Sequence, residues 1–205
     1  MPKVTVLNVS HKEPLSFIGS VVGINIGHND DSKERALCCW NDSNAYALEH
    51  VTATLRINGI SLACAQLLMR NSTAYFVQES QRYKKNKPDG CGYVVPPEIA
   101  CNGEALEKYL THMNACIDLY QSLLESGVMP GDAHYVLPEA YKTNVNMTMN
   151  IRELEKLYKT RTGRLAQWEI EDLACKIKLE LSKVSNEWFK VCRKIGQRAE
   201  DDGIR

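Results

Sequence analysis

The stretch Val51–Asn58, VTATLRIN, alternates apolar and polar residues without a break. Val51, Ala53, Leu55 and Ile57 share one face, and Thr52, Thr54, Arg56 and Asn58 the other. Successive side chains on a strand point to opposite faces, so this pattern specifies a half-buried strand. Thr143–Met149 repeats the alternation, and Val4–Val9 is a shorter β-branched run that reads as a first strand. The two long strands stand far apart in the chain. A mixed or antiparallel sheet flanked by helices therefore fits better than a doubly wound one, and the fold class is α/β.

Helices are in the majority, with long ones in the second half. Leu106, Leu110, Met113, Ile117, Tyr120 and Leu124 recur at steps of three and four over Asn102–Gly127, with Gly127 placed to cap the end. Leu173, Ile177, Leu181, Val184, Trp188 and Val191 do the same within a helix expected from Leu165 to Ile195. Gly59 is expected to end the central strand, and the Ser61 hydroxyl to cap a helix over Leu62–Met69. Pro130 opens a short helix over Gly131–Leu137, which Pro138 stops, and Asn150 caps one over Ile151–Lys159. Between His11 and Asp31 helix and loop are equally compatible. Asp30–Arg35 reads as exposed, Asn41–Leu48 as a turn and short helix, and Tyr83–Pro97 as a loop. With no repeat or linker, residues 1–205 are expected to form one domain.

Charge narrows the function. Lys and Arg total 25 and Asp and Glu 25, so the formal charge is zero. That argues against a non-specific nucleic-acid coat, and the lysines at 84, 85 and 87 read as a solvated face. No apolar run reaches membrane-spanning length and no secretory signal opens the chain, so a cytoplasmic protein without a membrane partner is expected. The eight cysteines form no C-x-x-C pair or recognised zinc spacing, so reduced thiols and no metal are expected. Cys64, Cys116 and Cys175 read as small core residues.

Three polar clusters interrupt the apolar pattern: Glu49-His50, the run Arg70–Tyr83, and His134, Asn150, Arg152 and Arg161. In the second, basic side chains and a hydroxyl follow an apolar element, a composition suited to a bound phosphate. In the third, Asn150 begins a helix with Arg152 just inside it, an end that favours anions. No Ser/His/Asp arrangement, Walker A loop or G-x-G-x-x-G is present.

These residues together resemble the flavin-dependent thymidylate synthase (ThyX) family. Arg70, followed ten positions later by Ser80-Gln81-Arg82-Tyr83, is similar to the family signature R-H-R, seven residues, then S. Glu49-His50, VTATLRINGIS, YVLPEAYKTNVNMTMNIREL and the segment from Arg161 through AQWEIEDLA fall in the family order, over roughly residues 44 to 176. The resemblance implies a homotetramer with sites at subunit contacts and FAD reduced by NADPH. It also implies methylenetetrahydrofolate as carbon donor and hydride delivery to C6 of a uridylate ring. By position it assigns Arg70, Asn71, Ser72, Gln78, Asn150, Arg152 and Glu49 to the flavin. It assigns Leu67, Arg70, Gln78, Glu79, Ser80, Gln81, Arg82, His134 and Arg161 to the uridylate. Ser80 is expected to position the ligand rather than attack it, because no base is evident beside it.

Five positions depart from the family. R-H-R is Arg70-Asn71-Ser72, a Gln is Leu67, an Arg is His134, and the His before Glu49-His50 is Asn44. Two expectations follow: an enzyme methylating UMP, dUMP or both, as in nucleoside-antibiotic members of the family, or a nucleotide-binding relative without flavin chemistry.

Overall fold

The computed structural model describes residues 2–26, 32–38, 43–71, 73–80, 92–163 and 165–201. Its centre is an antiparallel four-stranded sheet of order β1-β2-β4-β3, formed by β1 (Lys3–Val9), β2 (Thr52–Ser61), β3 (Tyr75–Gln78) and β4 (Lys142–Asn150). The alternation of the two long strands decides the layers. Ala53, Leu55 and Ile57 pair with Met149, Met147 and Val145, and all six are at most 1% exposed. On the opposite face Thr54 bonds Thr148 (3.0 Å) and Arg56 Nε donates to Asn146 Oδ1 (3.2 Å).

Helices cover the apolar face. They are α1 (Pro14–Ile26), α2 (Ser32–Cys38), α3 (Leu62–Met69), α7 (Ile151–Arg161), α8 (Trp168–Ser182) and α9 (Asn186–Asp201), with a 3-10 helix at Ser43–His50. The segment 11–31, left open by the sequence, holds α1. Three more, α4 (Pro97–Ala100), α5 (Gly103–Glu125) and α6 (Pro130–Ala133), stand to one side, where Met113 and Ile117 of α5 pack with Tyr93 in a smaller cluster.

The expected caps form. The Ser61 hydroxyl accepts from Cys64 N at 3.0 Å and Asn150 Oδ1 from Glu153 N at 2.9 Å; Asn102, not read as a cap in the sequence, caps α5 as well. Gly127, at φ 89°, ends α5 in a Schellman turn, with Val128 N donating to Leu123 O (3.0 Å) and Gly127 N to Leu124 O (3.1 Å).

Four expectations are corrected. Gly59 does not end β2: at φ 75° it sits in a register shift between Asn58 and Ile60, and the strand continues to Ser61. The helix expected over Leu165–Ile195 is two. The Ser185 hydroxyl accepts from Trp188 N (3.1 Å) and donates to Lys12 O (2.6 Å), starting α9 anew. Tyr75–Gln78, taken as part of a polar run, is an edge strand. Of the three expected core thiols, Cys64 is buried, Cys116 half-buried and Cys175 exposed; among the described residues Cys192 is buried as well. These and Cys101 are free thiols, and Cys39 and Cys91 lie outside the described residues.

The start of α9 holds the N-terminal segment. Glu187 accepts from Ser16 N (3.0 Å) and the Ser16 hydroxyl (2.7 Å), and Trp188 Nε1 donates to His11 O (2.9 Å). No helix among the described residues is long and apolar enough to cross a membrane.

Candidate functional site

The polar clusters meet at the two ends of α7. At its C-terminal end Arg161 Nη2 donates to Leu67 O (3.4 Å), fastening the last turn of α7 to the last turn of α3. Arg70 caps α3 and is exposed, and Leu67 is half-buried against the main core. Asn71 is buried to 9% exposure, and its side-chain amide donates to Leu68 O at 2.8 Å. The Asn71 backbone N–H donates to the same carbonyl at 3.3 Å, so side chain and backbone together fasten the helix end and the amide donor is directed inward.

The strand β3 then leads away from this corner. Gln78 Nε2 donates to the Thr143 hydroxyl (3.3 Å), and Glu79 N to Asn144 O (2.9 Å). Glu79 Oε2 accepts from Asn144 Nδ2 at 2.9 Å, while Asn144 Oδ1 accepts from Gly59 N at 3.0 Å. Asn144 thus ties the end of β3 to the bulge in β2. Ser80 follows, exposed. Ser72, Gln81 and Arg82 lie outside the described residues, as do Tyr83 and the lysine loop.

At the N-terminal end of α7 the Arg152 guanidinium is ion-paired and hydrogen-bonded to Glu49 of the 3-10 helix. From there a pocket of about 430 Å³ runs along one side of α7, lined by Glu49, Arg152, Glu153, Glu155, Lys156, Lys159 and Thr160. Arg152, Lys156 and Lys159 recur at steps of four and three, which places them on one face of α7. A larger groove, about 670 Å³, lies between β1 and the end of α8 and contains none of the expected site residues.

His134, Asn150, Arg152 and Arg161, spread over one polar cluster in the sequence, are therefore not gathered at one place within a single chain. Arg152 and Arg161 are nine residues apart, about 13 Å along the axis and about two and a half turns, which puts them on opposite sides of α7. His134 stands elsewhere again. It ends α6, its ring lies 4.8 Å from that of Tyr135, and its buried Nδ1 has no hydrogen-bond partner. Arg161 Nε is buried and unpartnered too.

The base of α3 is set by a residue the sequence reading passed over. Glu169 of α8, 2% exposed, accepts from Ser61 N at 2.8 Å and from the Ser61 hydroxyl at 2.5 Å. Burial pushes the neighbouring Cys64 thiol well above its ordinary value, and the Glu169 and Asp172 carboxylates push it further. Burial also raises Tyr141, which precedes β4, to about 12, keeping its phenol protonated. Thr143 and Asn144 were missed as well; Asn144 begins the polar row of the second strand, while Thr143 lies on its buried face, 1% exposed. Among the described residues no three His, Cys, Asp or Glu side chains form a metal-binding group.

Residues 16–185 match the family model described as thymidylate synthase complementing protein. The chain belongs to that family. Flavin-dependent thymidylate synthases are among its relatives. That of Thermococcus onnurineus is 38% identical over 138 residues, covering 66% of this chain and 56% of its own. That of Geobacter sulfurreducens is 40% identical over 127 residues, covering 62% and 55%. The chain thus spans a little over half the length of these curated relatives. Among solved structures, the UMP/dUMP methylase PolB from Streptomyces cacaoi, bound with 5-Br dUMP, superposes with a TM-score of 0.76 at 20% identity, covering 93% of this chain and 94% of that one. Thymidylate synthase X from Helicobacter pylori, with FAD and dUMP, superposes with a TM-score of 0.69 at 21% identity, covering 94% and 99%. The family resemblance read from the sequence is borne out, and the sheet and its helices form the ThyX-like fold.

Proposed function

We propose that this family member is a flavin-dependent uridylate C5-methylase, acting on UMP, dUMP or both. The observation that carries the reading is the corner where Arg161 meets the end of α3. It gathers Arg161 and Arg70 at the ends of two helices, a cationic, donor-rich surface on rigid elements from which β3 runs toward Ser80. Arg161 keeps a buried Nε without a partner there. Guanidinium groups match phosphate oxygens in geometry and charge. In this reading Arg161 and Arg70, with Arg82, hold the nucleotide phosphate. Gln78, Glu79, Ser80 and Gln81 line the base and sugar, and Leu67 and His134 bound the pocket.

The side of α7 opposite Arg161 fits a cofactor phosphate by its donors. Arg152, Lys156 and Lys159 share one face of the helix beside the 430 Å³ pocket, and Glu49 holds Arg152 in place until an anion displaces it. Asn150 and Arg152, with Arg70, Asn71, Ser72 and Gln78, would hold FAD. When bound and reduced by NADPH, that cofactor would supply the hydride for uracil C6, and methylenetetrahydrofolate the carbon for C5. The protein's share is orientation and charge. Since Arg152 and Arg161 face opposite ways, one chain does not wrap a ligand with both. That supports sites completed by neighbouring copies in a homotetramer. A pathway of nucleoside-antibiotic synthesis is part of the reading only through the likeness to PolB.

Binding tests it. Purified full-length chain should copurify with, or take up, FAD, and should bind UMP or dUMP. Arg161→Ala should weaken uridylate binding by about one to two orders of magnitude, the worth of a charge-assisted hydrogen bond. Unchanged uridylate affinity in a folded Arg161→Ala variant would remove the pocket assignment.

A further inference from the structure

The long helix α5 carries a pair of donors that the proposed function leaves unused. His112 and Cys116 are four residues apart on its exposed side, with Cys116 Sγ 3.6 Å from His112 Nε2. Residues four apart on a helix share a face, the spacing by which two helical side chains grip one zinc ion. The separation has a second meaning. Tetrahedral zinc with Zn–S of about 2.3 Å and Zn–N of about 2.0–2.1 Å sets its sulfur and nitrogen about 3.5–3.6 Å apart. The two donors already stand at the bite of such an ion.

The electrostatics of the stripe do not oppose a cation. The residue one turn before His112 is Lys108, and its ammonium lies 2.6 Å from Glu104 Oε1. The lysine charge is thereby offset by a carboxylate on the same face. Cys116 is a free thiol, half-buried, and His112 is exposed, so solvent ions reach both.

We propose that His112 and Cys116 form a bidentate site for a thiophilic divalent cation of the zinc class, with water completing the tetrahedron. Binding forms one metal–sulfur and one metal–nitrogen bond. The thiol proton leaves to solvent, and the imidazole binds in its neutral form. The site is independent of the flavin reading, because neither residue belongs to that machinery.

Cobalt(II) is the probe, since a thiolate ligand gives it a charge-transfer absorption that a site without sulfur lacks. Reduced, tag-free full-length protein is titrated with cobalt(II), and zinc is then added in competition. The expected result is a saturable thiolate–cobalt band that zinc removes. Cys116→Ser should abolish the band and His112→Ala weaken cobalt binding by at least about 10–100-fold, the loss usual for disturbing even outer-shell partners of a metal. Cys175→Ser, which alters another exposed thiol, should leave both intact. Circular dichroism confirms that the variants fold. A protein without the band, or a band that survives Cys116→Ser or falls with Cys175→Ser, overturns the proposal. The pair is then only a thiol–imidazole hydrogen bond.

Discussion

Replacing Ser61 by Ala should lower stability by about 2–4 kcal/mol. The hydroxyl has two tasks. It accepts from Cys64 N at 3.0 Å as the cap of α3, and it donates to Glu169 Oε2 at 2.5 Å. Loss of a Ser cap costs about 1 kcal/mol. Loss of a hydrogen bond to a charged partner costs about 1.5–3 kcal/mol. Ser61 is 3% exposed and Glu169 2%, so water does not replace the missing donor. The two costs share one hydroxyl and do not simply add. Urea denaturation followed by circular dichroism should show the midpoint fall with little change in slope. Adding Ser61→Ala to Glu169→Ala should cost much less than adding it to the parent, because the partner is already gone. A loss below 1 kcal/mol, or full additivity of the two changes, would refute the reasoning.

Other expectations follow from the same geometry. Burial alone would raise the Glu187 carboxyl, but the Ser16 N–H, the Ser16 hydroxyl and Lys33 outweigh it and hold the group below its usual 4.5. A depressed acid stabilises the fold fully above its unfolded value and loses that contribution as pH falls through the folded one; Glu187→Gln should flatten the acid limb of a plot of stability against pH. Gly59→Ala should cost about 1–2 kcal/mol by chemical denaturation, since φ is 75° and an added Cβ meets nothing within 4 Å, leaving only the left-handed backbone cost. Under native conditions iodoacetamide should label exposed Cys101 and Cys175, read by peptide mass. It should spare Cys64 and Cys192, both buried with thiols raised, the latter to about 12.

What the sequence revealed was local. The alternation in Val51–Asn58, the caps at Ser61 and Asn150 and the stop at Gly127 each follow from a rule spanning a few residues, and all are present. What it concealed depends on partners remote in the chain. Tyr75–Gln78 has no core signature because Tyr75 is 80% and Val77 70% exposed; only pairing with β4 makes it a strand. The break between α8 and α9 hides because Leu181, Val184 and Trp188 keep a helical step across it, while Ser185 takes its cue from Lys12. Gly59 looks like a stop because the residue that accommodates a positive φ in a bulge is the one that ends strands. The residues proposed for the site were picked out in the sequence by type and order, through the family resemblance. Their division between two sides of α7, and the inward turn of Asn71, required the packing.

The most direct test of the central claim is turnover. Purified protein is given FAD, NADPH and methylenetetrahydrofolate, with UMP and dUMP in parallel, and the nucleotide is weighed by mass spectrometry. The account predicts a C5-methylated uridylate from at least one of them, dependent on flavin and abolished or strongly reduced by Arg161→Ala. Methylation by flavin-free protein would contradict the cofactor assignment. No methylated product from folded, flavin-loaded protein would contradict the enzyme itself and leave a nucleotide-binding relative.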